Sequence, residues 1–157
     1  MAYNPYARKR KERFAIKKAI KREAEIQKAD AAPKQGPIGI FLDDERPCPE
    51  GWLLARNSSS LFNLLHIIDT SRLTHLALDW HLGSGAPDGL QVLGALLHPE
   101  GGHIHLLENL KVVYFHSSDR GRAIEMCRTF SKAFPEVAIE IGRPEKLDET
   151  DAMWLYA

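Results

Sequence analysis

Asp43 and Asp44 follow one apolar run, Asp79 closes a second, and His116, Ser117 and Ser118 close a third. Three carboxylates brought into one small space cannot all stay charged without a counter-cation, and hard oxygen ligands with little sulfur or imidazole favour magnesium. A Mg²⁺ ion held by Asp43, Asp44 and Asp79 would clamp a phosphate oxygen, with Ser117 or Ser118 and Arg143 covering the other oxygens. His116 reads either as a donor to a scissile phosphate oxygen or as a plain strand-end hydrogen-bonding group. Arg120 and Arg122 open a helix whose N-terminus suits phosphate, though solvated first-turn residues are as common, and Ser117 or Ser118 serves equally well as that helix's cap. The plain alternative for the three acids is loop capping at strand ends.

These residues need elements to hold them. Ile38 to Leu42 is a short apolar run ending at Asp43, the pattern of a buried parallel strand whose carboxyl end meets solvent. Pro47 and Pro49 forbid a helix directly after it, so Trp52 to Arg56 reads as a second strand. Ser58 to Ile68 has Leu61, Leu64, Leu65 and Ile68 at helical spacing; Leu73 to Leu78 is a strand; Asp88 caps a helix through about Leu97. Lys111 to His116 is the fourth strand, Arg120 to Phe134 a helix, and Val137 to Ile141 the fifth strand. Strands alternating with helices imply a parallel sheet with right-handed crossovers, whose functional crevice lies outside the carboxyl ends of the strands. The expectation is one α/β domain over residues 36–157, with residues 1–35 as an arm and linker.

A chain of 157 residues, 44% hydrophobic, can bury one core. No stretch approaches the roughly 18 to 20 apolar residues of a membrane span, and no secretory signal follows the charged start, so a soluble, cytoplasmic protein is expected. Cys48 and Cys127 are in no disulfide or zinc spacing and read as free thiols. The formal net charge of zero conceals an asymmetry: residues 1–35 carry eleven Lys and Arg against four Asp and Glu, a formal +7, leaving −7 on the other 122 residues. From about Pro5 to Ala29 the arm is a helix with charges all round and a weak apolar stripe of Phe14, Ile16, Ile20, Ala24 and Ile26. Its basic residues Arg8, Lys9, Arg10, Lys11, Arg13, Lys17, Lys18, Lys21 and Arg22 fit a nucleic-acid backbone; a solvated helix, or a protein partner with an acidic groove, fits them too.

The ordered set of a paired acid after the first strand, one acid after the third, a hydroxyl residue after the fourth and a basic residue before proline after the fifth resembles the phospho-receiver fold. Arg143-Pro144 stands where that family has Lys-Pro. Locally, Leu42-Asp-Asp-Glu-Arg-Pro-Cys-Pro-Glu-Gly-Trp52, Leu78-Asp-Trp-His-Leu-Gly83, Asp88-Gly89 and His116-Ser-Ser-Asp-Arg-Gly-Arg122 look like the cyclic-phosphate-processing receiver domains. The resemblance implies a receiver-like, flavodoxin-like five-stranded parallel sheet and a role in handling cyclic or terminal phosphates in RNA repair. It implies further that the helix between the first two strands is absent and that the last helix shrinks to residues 148–156 at most. Losing both exposes one sheet face, to be covered by the N-terminal helix, by Met153 to Tyr156 or by a partner, with the tail plus a partner preferred. His81 stands where the family has a second acid, which either weakens metal binding or supplies a general acid.

Two function classes follow. One is a Mg²⁺-dependent phosphate-handling enzyme in which Asp79 is nucleophile or metal bridge, His116 or His81 the general acid/base, and Ser117, Ser118, Arg122 and Arg143 the phosphate ligands. The other is a non-enzymatic adaptor, an accessory or phage-encoded factor whose arm docks onto nucleic acid or a nucleic-acid-associated complex. An ordinary phosphorylated regulator fits less well, given Arg143 and the altered helices.

Overall fold

The computed structural model describes residues 5–30 and 36–147, with the side chains of the first helix described over 10–24. Helix α1 runs Pro5–Asp30, followed by β1 (Ile38–Leu42), β2 (Leu53–Ala55), α2 (Ser58–Ile67), β3 (Leu73–Asp79), α3 (Gly89–Leu97), β4 (Val112–His116), α4 (Arg120–Ala133) and β5 (Ala138–Ile141). Short 3₁₀ turns at Thr70–Arg72 and Ile104–Leu107 join the larger elements. The strands form one five-stranded sheet in the order β2-β1-β3-β4-β5 with every pair parallel. This is the parallel α/β sheet expected from the alternation of apolar runs, with the receiver-like arrangement that the resemblance implies.

The central strands β1 and β3 are buried along their whole length, as their unbroken apolar sequences require. Side chains alternate between the two faces of the sheet. On one face Ile38, Ile40, Leu42, Leu76, Leu78, Val113 and Phe115 share a core with Leu61, Leu64 and Leu65 of α2, Val92, Leu93 and Leu96 of α3, and Ala123, Met126 and Phe130 of α4. The helix starts are set by side-chain caps. Asp88 closes a capping box with Gln91 on α3, as its position predicts. On α2 and α4 the cap lies one residue from the serines: Asn57 accepts from Ser60 N–H, and Asp119 accepts from Gly121 and Arg122 N–H. Neither Ser117 nor Ser118 is therefore the cap of α4.

The other face carries no helix over the described residues, and β1 passes to β2 through residues 43–52 without one. Among the described residues, part of its cover comes from the chain itself. Phe41, Trp52, Ala77 and Leu147 form a second buried cluster. Trp52 meets His75 and Tyr114 edge-on at centroid distances of 5.8 and 5.9 Å, and its indole N–H donates to the Glu145 carbonyl at 2.9 Å. Gly39 leaves room for that indole: a Cβ there would lie 2.7 Å from Trp52 Cε3. The expected cover by residues 153–156, and the reduced last helix over 148–156, lie outside the described residues.

Helix α1 packs on α2, with Lys21 Nζ donating to Asn57 Oδ1 at 3.3 Å. No helix of the described residues is long and apolar enough to cross a membrane.

Candidate functional site

Parallel pairing brings three strand ends together. Leu42 of β1 stands opposite Leu78 of β3, and Asp79 stands opposite His116 of β4, so Asp43, Asp79 and His116 meet at the carboxyl edge of the three strands. All three are buried, at 1%, 5% and 3% exposure. Asp43 Oδ1 accepts the backbone N–H groups of Glu45 and Arg46, both at 2.9 Å, which turns the chain sharply after β1 and leaves Oδ2 facing the site. His116 Nδ1 lies 3.7 Å from Asp43 Oδ2 and 3.7 Å from Asp79 Oδ1. The His116 ring is stacked on Phe41, at 5.2 Å and 9°. Neither of its ring nitrogens has a hydrogen-bond partner.

Burial pushes the Asp79 carboxyl up to about 6, the Asp43 carboxylate adds to that, and the Arg46 guanidinium opposes it. Burial pulls His116 down to about 4 against the attraction of Asp43. The imidazole therefore shares a buried corner with two acids, and ligand atoms of Asp43, Asp79 and His116 all lie within 4.8 Å of one another. The oxygen donors suit a hard divalent cation such as Mg²⁺, and the unpartnered His116 nitrogens show that the corner is not satisfied by protein groups alone.

The pocket outside this corner encloses about 390 Å³ and is lined by Asp43, Asp44, Glu45, Arg46, Asp79, His81, Gly83, Ser84 and Ser118. Asp44, His81 and Ser118 are thus brought to the pocket that Asp43 and Asp79 line. The other phosphate-binding candidates are held elsewhere. Ser117 Oγ accepts the Asp119 N–H at 3.1 Å. Arg122 pairs with Asp119 at 3.5 Å and stacks over Trp80, 4.9 Å from its ring centroid. Arg143 lines a separate pocket of about 330 Å³ on the helix-free face, with Trp52, His75 and Tyr114. It still lies close enough to help lower the His116 pKa.

Two other arginines stand at the site, one on the pocket wall and one behind the turn that carries it. Arg46 Nη1 is 3.5 Å from Asp43 Oδ2 and 3.9 Å from Asp79 Oδ1, which makes it the cation at the pocket's acidic wall. Arg56, just past β2, donates to the carbonyls of Asp43 and Arg46 at 3.3 and 2.7 Å and so clamps the turn. A basic residue three positions after Asp43 and directly before Pro47 is the signal that points to Arg46.

On α1, Arg10, Lys11, Arg13, Lys17, Lys18, Lys21 and Arg22 are all exposed; the side chains of Arg8 and Lys9 lie outside the described residues. A groove of about 830 Å³ between α1 and α2 is lined by Phe14, Lys17, Lys18, Lys21, Arg22 and, across from them, Phe62 and His66.

Comparison with known proteins adds one match. The family model described as a cyclic-phosphate processing receiver domain matches residues 38–132, from the first residue of β1 to near the end of α4. No curated protein and no solved structure matches the chain. With the match spanning more than half of its length, the chain belongs to the family of cyclic-phosphate processing receiver domains.

Proposed function

We propose that the protein hydrolyses cyclic phosphate ends of RNA or nucleotides at the Asp43–Asp79–His116 corner. The observation that carries this reading is a buried acidic pair with a neutral imidazole between its oxygens, opening onto a pocket that also holds Arg46, His81 and Ser118. Asp43 and Asp79, with Asp44 at the rim, are the residues that would hold Mg²⁺, and a bound ion would supply charge neutralisation for phosphate.

The chain's own groups account for the rest. Arg46 offers guanidinium N–H donors that suit the planar spread of phosphate oxygens, and the Ser118 hydroxyl adds a neutral donor. In the reaction a water oxygen forms a bond to phosphorus and gives up one proton, one ring P–O bond breaks, and the freed ribose oxygen takes up one proton, so that the net change is the addition of one water. Proton transfer falls to His81, which lines the pocket, whereas His116 is buried behind it and is not among the lining residues. Asp79, on the pocket wall with Asp44, serves as a cation ligand in this reading.

The test is an oligonucleotide ending in a 2′,3′-cyclic phosphate, incubated with the full chain and, in separate reactions, Mg²⁺ or Mn²⁺. The expected product has gained one water and ends in a phosphomonoester, seen by mass spectrometry, and Asp79→Asn abolishes it. An unchanged substrate would sink the enzymatic reading. A covalent phosphate on the protein would replace the water mechanism with an aspartyl nucleophile.

A second reading is favoured by the exposed basic side chains of α1, which suit docking onto a nucleic-acid backbone or an acidic protein of a nucleic-acid complex. As an adaptor alone, the protein would lose its function with those charges and keep it in Asp79→Asn. As an enzyme it would do the reverse, with the arm raising affinity for the substrate strand.

A further inference from the structure

We infer that His116 Nδ1 is a direct ligand of the cation, so that the centre is a mixed nitrogen–oxygen site selecting a first-row divalent transition ion over magnesium. The inference rests on reading the pocket as a cation-assisted phosphate centre and goes further in assigning the ligand set and the metal class.

Geometry carries it. Asp43 Oδ1 is occupied by two backbone N–H groups, so only Oδ2 faces the site, and His116 Nδ1 is 3.7 Å from it and equally far from Asp79 Oδ1. That separation is too long for a hydrogen bond. Both His116 separations do suit a shared ion, because two ligand atoms bound at about 2.1 Å each stand at most about 4.2 Å apart, and the three ligand atoms together lie within 4.8 Å of one another, so that a small shift of one carboxylate closes the set. A hydrogen bond to another group does not account for the ring either, since Nδ1 and Nε2 are both buried and unpartnered. Nor is the imidazole placed there by chance of rotation: Phe41 stacks flat on it at 9°, and His116 is the last residue of β4, paired in register with Asp79.

Arg46 already stands against Asp43 and Asp79 from the solvent side, partly exposed, as the cationic partner of the acids. What the inner side offers is a nitrogen lone pair. An imidazole beside two carboxylates raises affinity along the first-row series from manganese to zinc, whereas magnesium gains little from nitrogen.

The full chain, stripped with chelator, is titrated calorimetrically with Mg²⁺, Mn²⁺ and Zn²⁺, and the Mn²⁺ form is examined by pulsed EPR for hyperfine coupling to imidazole nitrogen. Expected are Mn²⁺ and Zn²⁺ affinities at least about tenfold above that for Mg²⁺, a nitrogen coupling in the wild type, and loss of both in His116→Leu. Mg²⁺ binding as tight as Mn²⁺, or a Mn²⁺ spectrum without nitrogen coupling, would overturn the inference, and the wild-type spectrum decides this even if the variant fails to fold. Turnover of the cyclic phosphate is scored separately. Hydrolysis with Mg²⁺ and no nitrogen coupling overturns only the ligand assignment; nitrogen coupling with an inert substrate supports it while removing the enzymatic reading.

Discussion

Asp79 and His116, 3.7 Å apart, have proton affinities displaced in opposite directions, and this gives the metal-free protein a hidden pH dependence. Asp79 holds its proton to about 6 in the fold against an ordinary 3.8, so the folded chain binds the extra proton and stability falls as pH rises across that window. His116 stays neutral down to about 4 against an ordinary 6.5, so its contribution is present above 6.5 and is lost as pH falls toward 4. Each effect is on the order of 2–3 kcal/mol, and between pH 4 and 6 they largely cancel. Asp79→Asn removes one side of the balance. Urea melts with chelator at pH 4.5 and 6.5 are expected to show the variant gaining stability relative to wild type as pH rises; a constant difference would contradict the assignment of these two shifts.

At the scale of elements, the helix-free sheet face depends on one side chain. Trp52 spans Gly39, His75 and Tyr114 and ties residue 145 to the sheet. Trp52→Ala is expected to cost about 3–5 kcal/mol in denaturant unfolding. Gly39→Ala drives a methyl into the indole and should cost about 1–3 kcal/mol alone, but far less in the Trp52→Ala background. Additive effects in the double mutant would show that the two residues do not press on one another. Close approach matters at the site too: Gly89 N–H donates to the Trp80 carbonyl at 2.7 Å, and a Cβ on Gly89 would run into the Asp79 carbonyl, so α3 can start where it does only with glycine there.

At the scale of the whole molecule, a formal +7 on residues 1–35 is set against −7 on the rest. The exposed cations of α1 leave it suited to a polyanion even while Lys21 joins it to the cap of α2. Replacing Lys17, Lys18, Lys21 and Arg22 by alanine is expected to weaken single-stranded RNA binding. It should also reduce the slope of log K against log salt by about 0.7 for each phosphate that is no longer neutralised, as fluorescence anisotropy would measure across a salt series. An unchanged slope would move the nucleic-acid surface off α1.

The amino-acid sequence by itself determined the element order, the α/β class, the acids at strand ends, the Asp88 cap and the charged arm, because apolar runs, prolines and caps act over a few residues. It did not determine which strand-end residues converge. That depends on side-chain direction, which reverses at each step along a strand, so that His116 meets Asp79 while the next residue, Ser117, bonds back to Asp119. Arg46 and Arg56 are hard to read from the sequence for a related reason: one reaches the acids only through the turn that Asp43 forms with its own backbone, the other only because β2 lies beside β1. Arg143 shows the converse, a residue at a strand end that the sheet turns toward the helix-free face. Local sequence sets where a strand stops; parallel pairing and the two-sided geometry of the sheet decide which of the stopping residues can share one ion.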